Sequence, residues 1–180
     1  YHTIKMAIAV TITMYSSILR STGSTLVGGI IWGNTTWTLE KSPYGTTETV
    51  QIPEGVTLHI EPGVTVTDNR ETHWGEAFYF SGNIHAKRAP EAKIKFIGND
   101  HEAWFSTVGD TTTARLVLEH CIFEGAPVFR DAKYLYSFIL KNSKISAPLS
   151  SYGRFGTRIC GESGKIEHNI LEKCQHYCSK

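Results

Sequence analysis

No block of like charge interrupts this sequence, and 18 basic against 17 acidic residues leave a formal net charge of +1. A surface of that kind carries no basic footprint for nucleic acid or for an anionic membrane. No stretch has the pattern of a long amphipathic helix. Long apolar runs are scarce too. The longest, Met6 to Leu19 (M-A-I-A-V-T-I-T-M-Y-S-S-I-L), is broken by Thr and Ser. It falls short of the roughly 20 apolar residues that a confident membrane span requires. Cysteines number only four: Cys121, Cys160, Cys174 and Cys178. Four allow three disulfide connectivities. Three of them cluster late in the chain, so Cys160, Cys174 and Cys178 are the candidates for a disulfide, with free thiols as the alternative.

Met6–Leu19 has three readings. Lys5 before it and Ser21, Thr22, Gly23 and Ser24 after it resemble a secretory signal, although no A-x-A site follows. The same run suits a strand or helix capping one end of the fold, and a membrane anchor is the third reading. Residues 1–31 are accordingly set apart as a signal-like or capping segment, ahead of one domain over 32–180. That domain is long enough to bury a core, and 41% hydrophobic residues mark it as globular. The ending Cys178-Ser179-Lys180 shows no capping pattern, so the domain is expected to be truncated there.

What the chain does have is glycine (16 residues), threonine and valine, a mixture that favours strands joined by turns. Val50 to Thr67 (V-Q-I-P-E-G-V-T-L-H-I-E-P-G-V-T-V-T) states the pattern most clearly. Val56, Leu58 and Ile60 alternate with Thr57, His59 and Glu61, and Val64 and Val66 alternate with Thr65 and Thr67. Such alternation is the strand signal. Pro53-Glu54-Gly55 suits a type I turn with Pro second and Gly fourth, and Pro62-Gly63 a type II turn. Strands this short fit a chain that turns a corner every few residues and buries the same side each time.

The remaining elements follow the same logic. Leu26 to Trp37 is β-like, with Gly28-Gly29 as a bend. Within it, Asn34-Thr35-Thr36 satisfies the N-glycosylation pattern. Ala77 to Ala86 and Lys93 to Ile97 read as strands, and Asn99 to Thr113 as loop carrying Trp104 and Phe105.

Three windows then repeat without gaps: L-E-H-C-I-F-E-G-A from Leu118, L-K-N-S-K-I-S-A-P from Leu140 and I-E-H-N-I-L-E-K-C from Ile166. Their starts lie 22 and then 26 residues apart. The first position is aliphatic (Leu118, Leu140, Ile166) and the sixth apolar (Phe123, Ile145, Leu171). The fourth is small or hydrogen-bonding (Cys121, Ser143, Asn169), and the second alternates in charge (Glu119, Lys141, Glu167). A solenoid explains this: equivalent positions stack about 4.8 Å apart, the apolar ones form a buried column, and opposite charges meet outside. The expected fold is all-β, a right-handed parallel β-helix of roughly five or six coils with an N-terminal cap segment.

T-T-W-T at Thr35–Thr38, S-P-Y at Ser42–Tyr44 and the run Val50–Val66 resemble the opening of right-handed parallel β-helix proteins, in particular secreted or surface proteins of the pectin-lyase-like superfamily. The windows L-E-H-C-I-F and I-E-H-N-I-L resemble later coils of the same group. The resemblance covers about Thr35 to Cys174. It implies a parallel β-helix, an extracellular or cell-surface location and dealings with polysaccharides, but not catalysis.

The galacturonan hydrolase motifs N-T-D, D-D, G-H-G and R-I-K are absent from the sequence. The lyases of that group use calcium held by several carboxylates, with an Arg or Lys as base. Calcium takes six to eight oxygens. The carboxylates here (Asp68, Glu71, Glu76, Asp100, Glu102, Asp110, Asp131) are scattered, with Arg70, Arg88 and Arg130 as nominal bases. His168, Cys174, His176 and Cys178 offer zinc-type donors at spacing too strained for one tetrahedron, so no metal site is assigned. Of the aromatics, Trp74 and Trp104 stand in loop-like contexts and are the candidate sugar-stacking residues.

The expected function is a non-catalytic module for carbohydrate binding, adhesion or spacing. No cofactor is expected, with calcium if the protein is a lyase. Polysaccharide is the expected partner, with neither nucleic acid nor membrane insertion, and end-to-end self-association is considered. The alternatives are a polysaccharide lyase or hydrolase with active residues partly elsewhere, and a self-assembling structural protein.

Overall fold

The computed structural model describes residues 23–71, 75–87, 90–98, 103–108, 113–126, 132–146 and 159–172. Met6–Leu19 therefore lies outside the described residues. The described residues are mainly strands joined by short turns and bends, with one 3-10 turn at Leu39–Lys41. In chain order the strands are β1 (Thr25–Ile30), β2 (Thr35–Trp37), β3 (Tyr44–Ile52), β4 (Thr57–Ile60), β5 (Thr65–Asp68), β6 (Glu76–Phe80), β7 (Asn83–Lys87), β8 (Ile94–Ile97), β9 (Ala103–Thr107), β10 (Arg115–Glu119), β11 (Cys121–Glu124), β12 (Ala132–Lys141), β13 (Lys144–Ser146), β14 (Ile159–Glu167) and β15 (Ile170–Glu172). They form a parallel β-solenoid.

Every pairing between described strands is parallel. One sheet runs β14-β12-β10-β7-β4-β2, and the other runs β15-β13-β11-β8-β5-β3-β6-β9 with β1 added to β3. The long strand β3 passes through a corner: Tyr44–Thr46 pairs with β5, and Val50–Ile52 pairs with β6. The second sheet therefore wraps two faces of the coil, and the six-stranded sheet makes the third.

Because consecutive coils pair in register, one kind of side chain recurs at each depth. Trp37, Ile60, Ala86, Leu118 and Leu140 follow one another across the six-stranded sheet and are all buried. Ile166 takes the next place in that ladder. On a second face Tyr44, Val66, Phe96, Phe123 and Ile145 do the same, and Leu171 follows in register. Val50, Phe78 and Phe105 line the third. Rings stack within and between columns: Trp37 on Tyr44 at 4.8 Å, Phe96 on Phe123 at 4.8 Å and Phe78 on Phe105 at 5.1 Å. Offset and edge contacts of this kind add about 0.5–1.5 kcal/mol per pair beyond area burial.

Late in the chain, β12 and β14, ten and nine residues long, run side by side. Several expectations need correction. Ala77–Ala86 is two strands, because Ser81 and Gly82 turn a corner. The supposed loop 99–113 contains β9. The turn after β3 begins at Pro53, whose carbonyl accepts from Val56 N–H at 3.1 Å, so Gly55 stands third with φ 78°. The second turn, Glu61–Val64, has Pro62 second and Gly63 third at φ 78°, matching the expected type.

Candidate functional site

The corner between β6 and β7 sets the site. Ser81 and Gly82 donate their N–H groups to the Ile52 carbonyl, and Asn83 donates to Val56 carbonyl, clamping one corner onto the one before it. Arg115 N–H donates to the Gly82 carbonyl, which adds the next corner. Three successive corners thus meet, and a cleft of about 310 Å³ opens among Glu54, Gly55, Ser81, Asn83, Thr113 and Arg115. That volume lies at the lower end of small-molecule sites, which run from about 300 to 1,000 Å³.

The polar groups of the cleft differ in how they are occupied. Thr113 Oγ1 donates to Glu54 Oε1 at 3.0 Å, tying the walls together. Asn83 Nδ2 donates to Thr57 Oγ1 at 3.2 Å, while its Oδ1 is buried without a hydrogen-bond partner among the described residues. The Arg115 guanidinium sits over the Tyr136 ring, 5.0 Å from its centroid. Among the described residues no side chain or carbonyl accepts from it, and Arg115 lines the cleft. Tyr136 is itself 41% exposed.

Beside the cleft, the outer face of the six-stranded sheet carries a cross-strand pair, His59 on β4 and His85 on β7. Their rings meet edge to face at 5.1 Å. His85 is held below the usual imidazole range, first by burial and then by the neighbouring His59, Lys87 and Arg115. Further along, the charged column continues with Lys87–Glu119 at 3.9 Å, Lys141–Glu167 at 3.5 Å and Lys165–Glu167 at 2.9 Å. Lys165 is also the foremost reason that the Glu167 carboxyl lies below its ordinary value.

The sequence-derived candidates fare differently. Trp104 is not a loop residue with a free face. It lies in β9, 1% exposed, against Phe96 at 5.2 Å and Phe78 at 6.4 Å. It cannot stack on a sugar, because the aromatic column of the core has claimed its ring. Trp74 lies outside the described residues. Asp68 and Arg70 are neither calcium ligand nor exposed base. They form a buried ion pair at 2.7 Å, with Arg70 also donating to the Gly75 and Glu76 carbonyls and Thr46 donating to Asp68. Burial pushes Asp68 up, but the bonds and charge of Arg70 outweigh it and hold the carboxyl below its ordinary value. Glu71 is exposed and Glu76 half-buried; Arg88, Asp100, Glu102, Asp110, Arg130 and Asp131 lie outside the described residues. So do Cys174, His176, Cys178 and the side chain of Cys160.

The repeat residues mark the opposite corner of the coil. Cys121 is a free, buried thiol whose proton is held above the usual range by burial and by Glu119, against a weaker opposing effect of Ser143. Ser143 Oγ accepts from Cys121 N–H at 3.1 Å, and Asn169 Oδ1 accepts from Ser143 N–H at 2.9 Å, so each fourth position caps the coil before it. The third position had gone unread: His120, Asn142 and His168 all hold positive φ, 55°, 51° and 51°. That left-handed bend is the corner itself.

Asn83, Arg115 and Tyr136 were also missed, although the repeat gave a partial signal for Arg115 and Asn83. Reading the windows three places further back brings Arg115 and Ser137 to equivalent positions, and Asn83 pairs with Arg115 in the same ladder. No family model, curated protein or solved structure matches the chain.

Proposed function

We propose that this chain is a non-catalytic β-solenoid module of an extracellular or cell-surface protein, of the pectin-lyase-like kind, that binds carbohydrate. The cleft carries the reading: Arg115, set over Tyr136 and without an acceptor among the described residues, lines it beside Asn83, Ser81, Thr113 and the Glu54 carboxylate. Sugars are recognised by such convergent donors and acceptors together with an aromatic face. The resemblance of Thr35–Val66 to the openings of secreted β-helix proteins supports the same class of ligand.

The test is a glycan array with purified protein, followed by calorimetry on any hit. Arg115→Ala should weaken binding at least tenfold, since about 1.5–3 kcal/mol attaches to hydrogen bonds made by a charged group. Tyr136→Ala should weaken it as well by loosening the guanidinium. No glycan bound by the wild type, or equal binding by both variants, removes the proposal. Appearance of unsaturated products or new reducing ends during incubation favours the lyase or hydrolase alternative.

A further inference from the structure

Trp32 is 84% exposed, the most exposed of the large hydrophobic side chains described. Nothing in the core or the cleft accounts for it. It stands two residues before Asn34 in the sequence W-G-N-T-T, and Asn34-Thr35-Thr36 is the only N-x-Ser/Thr triplet in the chain. We propose that Asn34 is an N-glycan acceptor and that the Trp32 indole is the platform for the first sugar.

Three independent features fit this. Asn34 is exposed, and its Oδ1 accepts from Thr57 N–H at 2.9 Å. That bond fixes the amide through its oxygen and leaves Nδ2 to react. Thr36, whose hydroxyl the triplet requires, is exposed on the outer face beside His59. Thr35 Oγ1 instead donates to the Gly33 carbonyl at 2.9 Å, shaping the bend between Trp32 and Asn34. A side-chain atom added at Gly33 would meet nothing within 4 Å, so the space around the triplet is open. An indole offers a broad apolar face that suits the C–H face of a pyranose.

The step balances with a polyprenyl-diphosphate-linked oligosaccharide as co-reactant and an oligosaccharyl transferase as catalyst. The Asn34 Nδ2 to C1 bond forms and Nδ2 loses one proton. The C1–O bond breaks, and the diphosphate leaves with its electron pair; nothing is oxidised or reduced. The glycan would stand beside β2, the last strand of the six-stranded sheet among the described residues. A bulky group there would block strand addition at an edge. This inference does not depend on the cleft.

The full chain is incubated with a single-subunit oligosaccharyl transferase and a synthetic polyprenyl-diphosphate glycan, alongside an acceptor peptide as positive control. It is also secreted from a glycosylating eukaryotic cell. Intact mass should rise by one glycan and fall back after peptide N-glycosidase. N34Q and T36A should lose the mass increase, and T35A should keep it. Removing the glycan should shift indole emission in the wild type but not in W32F. An unmodified wild type beside a modified control peptide, or a glycan that persists in N34Q, overturns the acceptor assignment. Equal emission with and without glycan overturns the role of Trp32.

Discussion

Asp68 and Arg70 show how a pair of charges can read as a surface site in sequence and prove to be part of the frame. Their side chains are 3% and 2% exposed, and between them they bind two carbonyls and one hydroxyl. Removing one member leaves the other buried and uncompensated, which costs about 3–5 kcal/mol. Asp68→Asn should therefore lower stability by that amount at pH 7, measured by urea unfolding. Protonation links to stability through the same residue. The folded carboxyl lies below its unfolded value of about 3.9, so its contribution is complete above that value and is lost as pH falls through the folded value. The wild type should show this acid loss, and D68N should lack the part due to Asp68.

At the scale of elements, corners matter more than strands. Gly82 joins β6 to β7, and a methyl group added there would come within 2.3 Å of both the Pro53 and Val56 carbonyl oxygens. Both oxygens are held in the backbone clamp of the preceding turn and cannot retreat cheaply. Gly82→Ala should cost about 3 kcal/mol, at the upper end of ordinary overpacking, read as a lower urea midpoint. The same substitution should disturb the cleft, whose wall includes Ser81 and Asn83. Alternation made β4 and β5 readable, because Leu58, Ile60, Val66 and their polar neighbours take opposite sides of one strand. It did not reveal the break at Ser81-Gly82 or the strand around Trp104. Phe78 to Phe80 and Trp104 to Phe105 are apolar on adjacent positions, and β9 is buried at all five residues. A strand buried throughout carries no period of two.

For the molecule as a whole, stability is shared along a stack in which each coil touches chiefly its neighbours. The middle of the six-stranded sheet has partners on both sides, as β7 has β4 and β10. Backbone amides of Ile84 and Leu116 should therefore exchange with solvent more slowly than that of Thr36 on β2. Hydrogen exchange followed by mass spectrometry or NMR reads the difference; equal rates would show that the coils open as one unit. The parallel solenoid was legible because three windows at Leu118, Leu140 and Ile166 stack one above another. The candidate site was not, because Glu54, Asn83 and Arg115 come from three different coils and share no motif.

The sequence by itself determined the class of fold. Local alternation, proline–glycine turns and a repeated window each state what a short segment must bury, and these statements agree. Only the tertiary structure decided where coils break, which aromatics face inward, and which polar residues meet at a corner. Those outcomes depend on how one coil sits against the next, and register between coils is a relation among residues 22 to 32 apart in the chain. Trp104 went to the core and Arg115 to the surface for that reason: each takes the side its neighbours above and below leave open.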